Sequence, residues 1–155
     1  MDHKTQHPNS IREQLELNLG EQLNALISAS HALNVKTAAL FDPSLQPAAF
    51  LIVRCLLSYG PASATFLAES TAMDRSSVSR LVTQLKHLNY VKSETHPEDR
   101  RGVLISLTAT GREKALEALK EKENEFYQRI STWEDSKLEA FIGMLKSFNG
   151  QECEE

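Results

Sequence analysis

The sequence predicts a mainly α-helical chain carrying one small β-hairpin, and three observations support that prediction. Apolar residues recur at helical spacing along most of the chain. Only between Tyr90 and Thr108 does that period give way to the two-residue alternation of strands. Pro, Gly and short capping residues cut the helical stretches into six, at positions where helices start and stop.

The first helix is expected over Ile11 to Leu40, with Leu15, Leu19, Leu23, Leu26, Ile27 and Leu33 on one stripe. The segment FDPSLQP breaks it. Pro47, whose missing N–H is harmless in a first turn, then opens a second helix over Ala48 to Ser58, ended by Tyr59, Gly60 and Pro61. A short third helix over Ser63 to Ser70 has Phe66 and Leu67 as its expected buried anchors. After the turn STAM, Asp74 caps a fourth helix reaching Leu88, and Asn89 closes it in the left-handed conformation that Asn tolerates.

YVKSET and VLISLT read as strands around a charged loop, HPEDRRG, longer than tight pairing needs. Thr108 caps a fifth helix over Ala109 to Ile130, with Leu116, Leu119, Phe126 and Ile130 on one face. Thr132 and Asp135 read as a capping box for a last helix striped with Leu138, Phe141, Ile142, Leu145 and Phe148. A helix-turn-helix followed at once by a charged hairpin is a winged helix.

Composition narrows the class. The chain is 41% hydrophobic and 25% charged, ordinary for a globular protein with a core. No apolar run approaches the roughly 20 residues of a membrane span, and Met1–Ser10 lacks the apolar stretch of a secretory signal, so a cytoplasmic protein is expected. Cys55, inside an apolar run, reads as a small buried hydrophobe, and Cys153 as an exposed thiol in the acidic tail. Neither has a Cys or His at ligand spacing, and His31, His87 and His96 are scattered, so neither metal nor other cofactor is expected.

The net charge of −4 is unevenly spread. Residues 74–101 carry 6 Lys/Arg against 4 Asp/Glu, whereas residues 1–73 carry 4 against 6 and residues 102–155 carry 7 against 11. The middle is thus +2 and the flanks total −6, a local basic patch on an acidic body.

At about 100° per residue, Val78, Leu81, Val82, Leu85 and Leu88 fall within an arc of roughly 120° of the fourth helix. Ser76, Ser79, Arg80, Thr83 and His87 lie opposite. Short hydroxyls let a helix sit deep in a major groove, Ser and Thr bond to phosphates or base edges, and Arg pairs bidentately with guanine. The Asp74-capped N-terminus favours a nearby phosphate, and Arg75 projects sideways as a backbone contact. In the wing, Arg100 and Arg101 can reach a narrow minor groove, and Asp99 is expected to orient one arginine by a charge-assisted hydrogen bond.

These residues resemble the MarR family of bacterial regulators. The resemblance is carried by FLAESTAMDRSSVSRLVTQLKHLNYV and HPEDRRGVLISLTATGREK, most specifically by PEDRRG and LTATG at their spacing from the helix-turn-helix. It covers almost the whole chain and is strongest over about residues 45–115. It implies a triangular homodimer in which the first and last two helices interlock and two lobes face successive major grooves of double-stranded DNA. It also implies a pseudo-palindromic operator, repression, and a small anionic or phenolic effector bound between lobe and dimer region.

Carried over by position, Ser76, Ser77, Ser79 and Arg80 fall on the recognition helix, and Asp99 and Arg101 on the wing's Asp and Arg. Asn89 stands where the family often has Gly. Thr83 and Gln84 replace an acidic and basic pair, and Ser93 replaces an Arg. The oxidation-sensing branch places a Cys near the start of the first helix, and this chain has none there.

The expected division is a flexible N-terminus (1–10), dimerisation helices (11–42 and 109–149), a DNA-binding winged helix (44–108) and a disordered tail (150–155). The expected DNA contacts are Arg75, Ser76, Ser77, Ser79, Arg80 and Thr83 in the helix, and Arg100 and Arg101 in the wing with Asp99 orienting; no effector residue is assigned. A winged helix used for protein docking would favour large apolar anchors on the outer face instead. An enzyme would need a nucleophile–base pair, a Gly-rich phosphate loop or a metal motif, and the sequence has none of these.

Overall fold

A computed structural model describes residues 10–99 and 101–150. The expected positions Arg100 and Cys153, the N-terminus before Ser10 and the tail after Gly150 lie outside them. The order is α1 (Ile11–Phe41), α2 (Pro47–Tyr59), α3 (Ala64–Thr71), α4 (Arg75–His87), β1 (Val91–Thr95), β2 (Val103–Leu107), α5 (Ala109–Ile130) and α6 (Asp135–Phe148). This is a mainly helical fold with a small antiparallel hairpin and flanking helices.

Local chemistry explains most boundaries. α1 begins in a reciprocal capping box: Glu13 N–H donates to Ser10 Oγ (3.2 Å) and Ser10 N–H to Glu13 Oε2 (3.0 Å). Ser63, Asp74 and Thr108 accept from backbone N–H groups at the starts of α3, α4 and α5. Pro47 opens α2, and Gly60 at φ +80° closes it, a conformation that disfavours any side chain. Asn89 adopts φ +61° after α4, as its side chain permits. The one expected cap that fails is Thr132–Asp135: α6 starts one residue after Glu134, whose side chain makes no capping bond.

The core sits in the head, formed by α2, α3, α4, the β1–β2 hairpin and the start of α5. Phe50, Ile52, Val53 and Leu56 of α2, Leu67 of α3, Val78, Leu81 and Leu85 of α4, Val91 and Ile105 form one buried cluster. Ala115 and Ala118 of α5 close it. α5 thus packs through these small residues with half-buried Leu119 beside them, while Leu116 of the expected face is exposed. Phe66, expected as an anchor, is exposed too and stacks edge-on against Tyr59, leaving Leu67 to fill the core.

β1 and β2 pair antiparallel from Val91↔Leu107 to Thr95↔Val103. A further bridge, Ala62↔Ile105 with bonds of 2.9 and 2.8 Å, ties the α2–α3 connection to the wing. The hairpin is thus anchored to the helix-turn-helix from both sides.

The stem differs. α1 buries only Leu33, Thr37, Ala38 and Phe41 at its C-terminal end, and α6 buries nothing. No helix of the described residues is long and apolar enough to cross a membrane.

Candidate nucleic-acid interface

α4 is held by its buried face, which fixes what the other face offers. Val78, Leu81, Val82 and Leu85 are buried in the head. Arg75, Ser76, Ser79, Arg80 and Thr83 are exposed, and the first four line an open hollow with Ala64 of α3. Among the described residues, neither Arg75 nor Arg80 enters an ion pair. Thr83 donates its hydroxyl to Ser79 O at 2.9 Å, which fixes its rotamer and leaves its lone pairs outward.

Ser77 is placed differently from its neighbours. Its N–H and its hydroxyl both donate to the Asp74 carboxylate, each at 2.8 Å. These two bonds, the N–H first, hold Asp74 below the usual carboxylate range. Ser77 thus completes the cap, and the outward stripe is Ser76, Ser79, Arg80 and Thr83.

The wing loop is shaped from inside. His96 Nδ1 accepts from the N–H groups of Glu98 (3.1 Å) and Asp99 (3.3 Å). Asp99 Oδ1 accepts from the backbone N–H of Arg101 at 3.0 Å, so the contact found is to the main chain rather than to that guanidinium. Asp99 O accepts from Gly102 N–H at 2.9 Å, and a Cβ at Gly102 would crowd His96. Arg101 is exposed and enters no ion pair among the described residues. Lys92 pairs with Glu94 at 3.0 Å, which spends part of the hairpin's positive charge.

The close of the hairpin explains LTATG. Thr108 Oγ1 donates to Asn89 O (2.6 Å) and accepts from Gly111 N–H (3.0 Å), joining the end of α4 to the start of α5. Tyr90 O accepts from Thr108 N–H at 3.0 Å. A side chain at Gly111 would overlap that Tyr90 carbonyl, so only glycine lets α5 start here.

Two polar clusters lie where stem meets head, and pattern reading missed both. Asn34 Oδ1 accepts from Arg54 (2.8 Å) and Lys122 Nζ (3.1 Å), so two cations converge on one neutral acceptor. Burial and then the Arg54 charge lower the Lys122 pKa. A hollow of about 230 Å³ beside them is lined by Arg54, Leu57, Ser58, Leu119, Lys122, Glu123 and Phe126.

In the second cluster, Tyr90 OH donates to Asp42 Oδ2 (2.7 Å) and accepts from Lys114 Nζ (3.0 Å). The Ser44 hydroxyl, then Tyr90, hold Asp42 below the usual carboxylate range, and Tyr90 holds Lys114 above the usual ammonium range. Residues 34, 54 and 122, or 42, 90 and 114, are too far apart in sequence for any local period to link them.

Comparison with known proteins agrees with this geometry. The family model described as "MarR family" matches residues 45–103. YxaD of Bacillus subtilis, an uncharacterized HTH-type transcriptional regulator, is 31% identical over 107 residues, covering 68% of this chain and 74% of that protein. The HTH-type transcriptional repressor NicR of Pseudomonas putida is 34% identical over 70 residues, 45% of this chain, and the match spans only 44% of NicR. Among solved structures, a MarR family protein from Bacillus stearothermophilus superposes with a TM-score of 0.72 at 16% identity, covering 88% of this chain and 96% of that one.

Proposed function

The chain belongs to the MarR family of winged helix-turn-helix transcription regulators, and on that premise we propose that it works as a homodimeric, ligand-responsive repressor of a pseudo-palindromic operator. One observation supports the DNA-reading half above all. α4 buries one face in the head and presents Ser76, Ser79, Arg80 and Thr83 on the other, with no acid paired to its arginines among the described residues. Such a face fits a major groove, Arg80 pairing with guanine and the hydroxyls with phosphates or base edges. Arg75, and Ser77 within the Asp74 cap, set the helix N-terminus against the backbone. Arg101, with Arg100, enters the adjacent minor groove on a loop whose shape Asp99 holds.

In this reading residues 44–108 are the DNA-binding unit, and 11–42 with 109–149 form the dimerisation region. The unpartnered apolar residues of α1 and α6 support it: Leu15, Leu19, Ile27, Ile142, Met144 and Phe148 face solvent in the single chain. The test is selection of bound DNA from a random pool. The expected product is a two-fold site with half-sites about one helical turn apart. Arg80→Ala then loses ~1–3 kcal/mol of discrimination at one base position. Equal losses on operator and random DNA would remove Arg80 from the base-reading role.

The ligand-responsive half rests on the Asn34–Arg54–Lys122 cluster. Two cations held on one amide oxygen, beside a hollow lined by apolar Leu57, Leu119 and Phe126 as well as by Ser58 and Glu123, suit a small aromatic acid, its carboxylate replacing Asn34 as acceptor and its ring entering between Leu119 and Phe126. Benzoate should raise the melting temperature of the wild type and leave Arg54→Met unmoved. An equal shift in both would sink this assignment.

A further inference from the structure

Three elements meet at one phenol oxygen. α1 ends at Phe41, and its cap Asp42 lies at the start of the link into the head. Asp42 shapes that link, accepting from Ser44 N–H (2.8 Å) and Ser44 Oγ (2.6 Å) while its carbonyl accepts from Leu45 N–H (3.2 Å). Ser44 and Leu45 in turn lie across a hollow from Thr83, Gln84 and His87 of α4. From the other side comes Lys114 of α5, the helix that runs out of the head core into the stem. Tyr90 lies between them, directly after the left-handed Asn89 that ends α4 and at the root of β1.

The hydrogen bonds leave no ambiguity of direction. A carboxylate only accepts and an ammonium only donates, so the hydroxyl proton goes to Asp42 and an oxygen lone pair takes Lys114. Both bonds are charge-assisted. The ring is buried, tilted at 4.8 Å against Phe41, with Lys114 Nζ 5.2 Å from its centroid. The phenol therefore bridges an anion of α1 and a cation of α5 while its own backbone anchors the recognition helix and wing.

We propose that the Tyr90 hydroxyl is a positioning pin that fixes the angle between reading head and helical stem, and so sets which half-site spacing the dimer accepts. The spacing part rests on the dimeric reading above; the pin does not. Two lobes read two half-sites together only when the stem holds them at one separation and rotation. A lobe free to swing would accept several spacings and bind the best one less well, because its orientation is no longer prepaid. Asp42, its pKa lowered, leaves the network only in acid, and Lys114, its pKa raised, only in strong base. The pin therefore holds unchanged across neutral pH.

Tyr90→Phe tests this with little threat to folding. It keeps the ring against Phe41, leaves Asp42 its two bonds from Ser44, and leaves Lys114 partly in water. Spin labels go on Ser93→Cys in β1 and Glu121→Cys in α5, in a Cys55→Ala, Cys153→Ser background. Labelled full-length chain is diluted into unlabelled chain, so that the distance is measured within one protomer and needs neither dimer nor DNA. A single narrow distribution is expected for the parent and a broadened or shifted one for Tyr90→Phe, with Lys114→Met behaving alike. An unchanged distribution in both variants overturns the pin.

The second arm measures affinity for the selected operator and for versions with one base pair added or removed between half-sites. Tyr90→Phe should lose about fivefold or more of the wild-type spacing preference, while affinity for an isolated half-site stays the same. A uniform loss on all DNAs, as general destabilisation would give, overturns the spacing claim. So does an intact preference beside a broadened distribution. A wild-type chain that selects no two-fold site overturns the dimeric reading and the spacing claim with it, and the distance measurement still decides the pin.

Discussion

Head and stem are built by opposite rules. The head, from α2 to the start of α5, buries Phe50, Ile52, Leu67, Val78 and Leu85 almost completely. Its helices are capped and its hairpin is bonded to the α2–α3 connection. The stem has longer helices and comparable apolar content, yet α6 buries no residue and most of the α1 stripe faces solvent. Removal of apolar surface from water at ~25 cal/mol per Å² stabilises the head within one chain. For most of the stem the same term becomes available only on association. One region therefore carries its stability internally, and the other leaves apolar surface unpartnered in the single chain, which the proposed dimer would cover.

The sharpest way to break this contrast is to damage each region in its own currency. Gly111→Ala should cost the head about 3 kcal/mol or more, since the new Cβ meets the Tyr90 backbone and neither α5 nor the hairpin can yield separately. Denaturant unfolding checks the size, and DNA binding should fail with it. Ile142→Lys should do the reverse. It removes self-association measured by sedimentation, through a lysine left unpaired in an apolar contact, and leaves hydrogen exchange in α2 and α4 as in the parent. Ile142→Lys that stays dimeric would show that α6 faces water in the assembly, and the stem would need another explanation.

The same contrast explains what was legible in the residues. In the head, capping, periodicity and turn chemistry agree with one another, so Asp74, Thr108, Asn89 and both strands fall within a residue of where their chemistry puts them. The outward stripe of α4 follows from the same periodicity once its apolar arc is buried. Phe66 misled because helical spacing says which side a residue is on but not how deep the neighbouring element lets it go. Thr132 and Asp135 misled because a capping box is a geometry, and α6 starts too late to use it. The Ser10 box has the spacing that a capping box needs and forms. The Asn34 and Asp42 clusters were out of reach for a different reason: they depend on α1 and α5 running side by side, which is tertiary information.

The smallest expected effect concerns an unpaired hydroxyl in the head. Ser106 Oγ in β2 is buried with no hydrogen-bond partner among the described residues. Burying an unsatisfied hydroxyl is costly, and deleting it at nearly constant shape is favourable. Ser106→Ala should therefore raise unfolding stability by about 1 kcal/mol. The sign matters more than the size. A gain in both free and DNA-bound protein makes the hydroxyl a simple defect of an otherwise well-paired core. A gain in the free chain with a loss of DNA affinity would mean that the wing shifts on binding and gives Ser106 a partner. The head would then be less rigid than its packing implies, and part of the difference between head and stem would vanish on the operator.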